Sequence, residues 1–248
     1  METLIEQPEL NEEQKNFWNY FINNSFSKTG YYPVFQKIDS TNPKVSKFGG
    51  SIPHLPSEKV PTCSQCKKTL LEVLLQLYIS NAPEEIKKLF PESKRQGLLV
   101  IFYCTNCMEQ GNLVWKYYEE SQLDQLVFSE PKSDSKISPT IVTEWRPFIS
   151  IDSTSNRYLE ESESSGFDEL KLEEFPKYLK ENYHGTTFLG GMPFYEQGES
   201  VPGENFSLLA NLEQDNAFSM MWGDAGEAQI WMTSGDEFGN FEITWQCG

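Results

Sequence analysis

Four of the five cysteines fall in two short pairs, Cys63-Ser64-Gln65-Cys66 and Cys104-Thr105-Asn106-Cys107. A Cys-x-x-Cys knuckle sets two thiolates on one side of a tight turn, and two knuckles supply the four sulfurs of a closed tetrahedral zinc site. Cys63, Cys66, Cys104 and Cys107 are therefore the expected ligands of a structural zinc. Four sulfurs leave no coordination position for water or substrate, so the chemistry predicted is bracing, not turnover. A redox dithiol is the competing use of such a pair. It needs a motif between a strand and a helix start, whereas the first pair precedes an apolar run and the second follows one. Lys67 and Lys68, directly after the first knuckle, are placed to offset the negative charge of four thiolates. Cys247 stands alone.

Other chemical groups are scarce. There are two histidines, His54 and His184, each near a glycine pair, and a lone loop histidine is more often a hydrogen-bonded structural residue than a general base. No Gly-x-Ser-x-Gly elbow, phosphate loop, dinucleotide fingerprint or His-Glu-x-x-His segment occurs. No catalytic or cofactor-binding residue is predicted, and the chain is expected not to be an enzyme. The rival is a metal- or thiol-dependent enzyme using Cys63 and Cys66, or a pocket near His54, His184 and Asp224. In Met220-Met221-Trp222-Gly223-Asp224-Ala225-Gly226, the glycines permit positive φ in a tight turn. Asp224 is expected to accept backbone N–H bonds across it, and Trp222 to cap the core.

The elements that must bring the sulfurs together are the apolar runs from Leu70 to Ser80 and from Gly97 to Cys104. Both read as strands buried on two faces. If they lie antiparallel and adjacent, the start of one adjoins the end of the other, and the two knuckles meet at one end of a sheet. Further strands are expected at Leu113–Tyr118 and around Gln125–Phe128, with a short helix over Ala82–Phe90. An amphipathic helix carrying Phe17, Trp18, Phe21 and Ile22 is expected from Asn11 to about Phe26, and helical pieces near Pro176 between Asp168 and Tyr183.

Phe48-Gly49-Gly50-Ser51-Ile52-Pro53 has an echo in Leu189-Gly190-Gly191-Met192-Pro193, and each is followed by an apolar run and then by a glycine that opens a strand. Repetition in the same order predicts two related halves. The expected fold is α+β and β-rich, with internally duplicated antiparallel sheets and peripheral helices. Residues 1–46 read as an N-terminal helix and lead-in, and 47–248 as one domain. Its halves span about 47–128 and 185–248, with a connecting region at 129–184.

The chain has 248 residues, 37 acidic against 20 basic, for a formal net charge of −17. That balance disfavours direct binding to nucleic acid or to anionic lipid, both of which are held by lysine and arginine. It favours a basic protein as partner. No stretch approaches the roughly 20 apolar residues of a membrane span, and the N-terminus lacks the pattern of a signal peptide. A cytoplasmic location is the expectation, where paired cysteines serve as metal ligands more often than as disulfides.

The segments Leu189-Gly190-Gly191-Met192-Pro193, Leu208-Leu209, Met221-Trp222-Gly223-Asp224-Ala225-Gly226 and Trp245-Gln246-Cys247 resemble the YwqG-like family of bacterial proteins of unknown function. The first glycine motif and the strands Leu75-Gln76-Leu77 and Gly97–Phe102 are similar to that family's N-terminal half. The likeness implies a duplicated, β-rich fold without established catalytic residues. The cysteine knuckles depart from many members. With Leu74-Leu75-Gln76-Leu77-Tyr78 they resemble the programmed cell death protein 2 family. That second resemblance implies a chaperone-like binder of a basic ribosomal protein, and the wider superfamily implies, as an alternative, an immunity protein that neutralises a toxin.

Overall fold

Leu-Leu-Val-Ile-Phe-Tyr at 98–103 is entirely buried, as is Glu-Val-Leu-Leu-Gln-Leu-Tyr at 72–78. Strands this apolar must sit between two layers, since a half-solvated strand would alternate with polar residues. A computed structural model shows how they do so. It describes residues 12, 15, 16, 19, 27–66, 71–107, 113–131, 134–151, 187–193, 195, 197–213, 222–224, 226–235 and 238–247. The expected helix at 11–26 falls almost wholly outside these, and so do the helical pieces at 168–183, His184, Lys67 and Lys68.

Twelve strands are described: β1 (Ser27–Gln36), β2 (Lys47–Phe48), β3 (Ile52–His54), β4 (Glu72–Tyr78), β5 (Leu98–Tyr103), β6 (Leu113–Tyr118), β7 (Val127–Ser129), β8 (Thr140–Ile151), β9 (Phe188–Gly190), β10 (Phe206–Glu213), β11 (Glu227–Thr233) and β12 (Phe241–Gln246). Ten of them form one sheet in the order β12-β11-β10-β9-β1-β8-β2-β4-β5-β6, and β3 pairs with β7 in a separate two-stranded sheet. All pairings are antiparallel among the described residues. Helix is minor among the described residues: α1 (Glu84–Lys87) buries Ile86, residues 12, 15, 16 and 19 within the expected N-terminal helix are helical, and short 3-10 turns lie at Ile79–Asn81, Glu92–Lys94 and Glu120–Gln125.

The large sheet curls until its two edges meet. Trp115 of β6 packs at a tilt against Phe241 of β12 with ring centroids 5.0 Å apart, and Phe238 packs on both rings at 5.7 Å. The result is a nearly closed barrel, in which aromatic contacts bridge the seam. Alternation along β5 sorts its side chains. Leu99, Ile101 and Tyr103 join the interior cluster with Leu209, Ile230, Met232 and Trp222. Leu98, Val100, Phe102 and Cys104 face a second cluster on the outer side, with Ile52, Cys63, Leu71 and Val73.

This architecture corrects the expected fold class. The chain is β-rich, but its strands form one barrel-like sheet and not duplicated sheets with peripheral helices, and internal duplication is not shown. The glycine pairs behind the echo do share a backbone conformation, with φ of 62° and 74° at Gly49 and Gly50 and the same two values at Gly190 and Gly191. Two matching turns answer a local steric need and do not by themselves make two halves. The centre of the sheet is held by β1 and β8, neither of which belongs to the echo.

At the first pair the reason for glycine is specific. A Cβ on Gly50 would collide with the Asp39 carboxylate, which accepts bonds from the Ser51 N–H (2.9 Å) and hydroxyl (2.6 Å). Beside it the fully buried Lys47 ammonium donates to Asp39 Oδ1 (3.1 Å) and to the carbonyls of Ser40 (2.7 Å) and Ser51 (2.8 Å). Burial acts to raise the Asp39 carboxyl, but the Ser51 bonds and the Lys47 charge outweigh it and hold it below its ordinary range. Burial draws Lys47 below the usual lysine range, against the pull of Asp39.

Candidate metal centre

β4 and β5 are antiparallel neighbours, with Glu72 opposite Tyr103 and Val73 opposite Phe102. The start of β4 therefore adjoins the end of β5, and the two knuckles meet there. The sulfurs of Cys63, Cys66, Cys104 and Cys107 all lie within 4.8 Å of one another. Cys63 to Cys107 is 3.7 Å and Cys66 to Cys104 is 3.9 Å. Four sulfurs bonded at about 2.3 Å to a tetrahedral ion are about 3.8 Å apart, so these two edges match. The third, Cys66 to Cys107, is compressed to 2.8 Å, still well beyond the roughly 2.05 Å of a disulfide. The four cysteines could hold a metal ion.

The knuckles are shaped for that use. The Cys66 N–H donates to Cys63 Sγ at 3.3 Å, a bond that folds the first turn back on its own sulfur. Cys63 and Cys104 are buried, while Cys66 and Cys107 are partly exposed, so the cluster lies at the margin of the outer core. Burial pushes the Cys104 thiol up, and the Cys66 thiol beside Cys107 pushes that group up further. Four thiolates this close repel one another unless a cation lies among them.

Glu72 was not singled out in the sequence, yet it ties the second knuckle to the rest of the fold. It is 2% exposed and accepts the hydroxyls of Thr105 and Ser135. It also accepts the N–H groups of Lys136 (2.9 Å) and Ile137 (3.3 Å). Lys136 returns to the Thr105 carbonyl at 3.2 Å. An acid inside an apolar strand was the available signal, because a buried carboxylate needs several donors. Glu72→Ala should loosen the Cys104–Cys107 turn and weaken metal affinity by about 10- to 100-fold, as changes behind a ligand shell do. Competition with a chromophoric chelator measures this, and an unchanged affinity would remove Glu72 from the centre's support.

The remaining candidates lie apart from the sulfurs. His54 Nδ1 lies 3.0 Å from the Leu55 carbonyl and Nε2 lies 2.8 Å from Ser129 Oγ. Trp222 is fully buried and packs on Tyr103 at 5.7 Å, the capping role expected of it. Gly223 has a φ of 91°, and a Cβ there would collide with Cys247. Asp224 is exposed. Met220, Met221 and Ala225 lie outside the described residues.

A family model described as a domain of unknown function, DUF1963, matches residues 46–247. The chain belongs to the DUF1963 family. No curated protein matches it. The matched span holds both knuckles and every strand except β1. Among the described residues, no helix of this DUF1963 chain is long and apolar enough to cross a membrane.

Proposed function

We propose that the four-cysteine cluster binds zinc as a structural ion, and that the chain is a chaperone-like binding module for a basic protein. The observation that carries the first part is the pair of sulfur separations, 3.7 and 3.9 Å, at the edge length of a zinc–thiolate tetrahedron. Four protein ligands close the coordination sphere, so the centre fixes the ends of β4 and β5 and offers a substrate no position. Its work is to hold the knuckles in register.

The second part rests on charge. With a net of −17, the surface steers a basic partner toward contact and repels nucleic acid. Among the described residues, Glu92, Asp124, Asp134, Glu199, Glu204 and Glu242 are exposed. The resemblance of the cysteine-bearing half to the programmed cell death protein 2 family supports the same reading. Affinity capture from native lysate at low salt should recover proteins rich in lysine and arginine, and about 0.5 M salt should release them, because the Debye length then falls to a few ångströms. Capture of acidic or neutral partners that survive the salt wash would overturn this reading.

A further inference from the structure

The two-stranded sheet carries a pair of side chains that the metal centre does not use. The register sets Ile52 opposite Ser129 and His54 opposite Val127. His54 and Ser129 are therefore diagonal neighbours on one face, within reach of each other's side chains. His54 Nε2 lies 2.8 Å from Ser129 Oγ, inside the range expected of a nucleophile and its base.

The proton can be placed. A backbone carbonyl only accepts, so the 3.0 Å contact between His54 Nδ1 and the Leu55 carbonyl requires the proton on Nδ1. In the neutral ring, Nε2 then presents its lone pair to Ser129, whose hydroxyl must donate. The carbonyl that fixes this tautomer is itself fixed. Leu55 O also accepts the Glu58 N–H at 2.9 Å, and the Leu55 N–H donates to the Glu58 carboxylate at 3.1 Å. That carboxylate is held in turn by Lys116 Nζ at 3.0 Å and the Tyr118 hydroxyl at 2.9 Å. A nucleophile, a base and an orienting acceptor thus stand in sequence, with the acceptor anchored to β6.

We propose that Ser129 is a nucleophile activated by His54 and takes an acyl group from a carboxylic ester. Its Oγ forms a bond to the ester carbonyl carbon as its proton passes to His54 Nε2. The carbon–alkoxide bond breaks, and the leaving alkoxide takes that proton away as alcohol. Water then enters by the same route, with Nε2 accepting its proton and returning it to Ser129 as the carboxylic acid departs. Both residues are only partly buried, and the flanking Val127 is 42% exposed. Leu55 and Glu58 are positioning residues. This activity is independent of the zinc centre and of binding to a basic protein.

The same hydrogen bond also helps to hold β3 against β7, and a purely structural role would give the serine no reactivity. The test therefore reads chemistry. The intact, metal-loaded chain is treated with a fluorophosphonate, whose phosphorus–fluorine bond breaks as Oγ bonds to phosphorus, and the adduct is located by peptide mass spectrometry. The expected result is an adduct at Ser129, lost in Ser129→Ala and formed at least about 100-fold more slowly in His54→Gln. Glu58→Gln should slow labelling more moderately while circular dichroism and metal content stay as in the parent chain. If His54→Gln loses its fold, labelling of the parent chain before and after urea denaturation replaces it, and labelling must vanish in urea. No adduct at Ser129, or an adduct formed equally fast in His54→Gln or in urea, would overturn the proposal.

Discussion

Cys104→Ser should lower the melting temperature by on the order of 10 °C, and a zinc chelator should do the same to the parent chain. In isolated zinc fingers the metal supplies essentially all of the folding free energy, on the order of 10 kcal/mol. Here the knuckles are attached to β4 and β5, which are already fully buried and paired, so only part of that is at stake. Loss of several kcal/mol shifts the midpoint of a chain this size by about 2–4 °C for each. Cys104 is buried in the outer core, where serine also leaves a hydroxyl without its thiolate role. Calorimetry with metal analysis on the same samples separates the causes. Cys247→Ser, outside the cluster, should keep its metal. A parent chain that purifies without metal and melts identically with and without chelator would sink the zinc assignment.

Asp39→Ala is expected to cost about 3 kcal/mol. It strands the Lys47 ammonium, 0% exposed, with two carbonyls and no counter-charge. Breaking a buried pair by removing one partner costs about 3–5 kcal/mol, and the lower end applies because a third of Asp39 faces solvent. Replacing both residues, as in Asp39→Ala with Lys47→Met, should restore much of the loss, since an apolar chain of similar length needs no partner. The pair also sets a pH dependence. The Asp39 carboxyl sits below its unfolded value, so its contribution is complete above the ordinary carboxylate range. It disappears as the pH falls through the lowered folded value. Urea titrations at neutral and acidic pH measure both effects. A single variant within about 0.5 kcal/mol of the parent, the level of a neutral surface change, would show that Lys47 does not depend on this partner.

What could be read from the sequence follows how local its cause is. The knuckles, the strands around Leu74 and Leu99, the helix at 84–87 and the burial of Trp222 all rest on spacing or on runs of apolar residues, and each is where it was expected. The convergence of the four sulfurs needed one further inference, that two strands are adjacent and antiparallel. β1 and β8 were missed because Ser-Lys-Thr-Gly-Tyr-Tyr-Pro and Thr-Ile-Val-Thr-Glu-Trp-Arg-Pro mix polar residues, glycine and proline into a strand pattern. They are stabilised by pairing with each other over ten residues, and a distant partner leaves no local mark. The same limit hid the bond between His54 and Ser129, 75 positions apart. It also misled the fold class, because a repeated turn is visible in one dimension and the closure of a sheet is not.

The strand at the middle of the sheet comes from the beginning of the chain. β1 is flanked by β8 and β9, which lie more than a hundred residues later. During synthesis, Ser27–Gln36 must wait until more than half of the polypeptide has emerged before either neighbour exists. Closing such long loops before any reward is gained makes assembly slow. The nascent Tyr31-Tyr32-Pro33-Val34-Phe35 meanwhile lacks the strands that later flank it. The knuckles, by contrast, flank the single excursion that holds β4 and β5, so an early-bound ion would let that antiparallel pair form before the later strands collect on it.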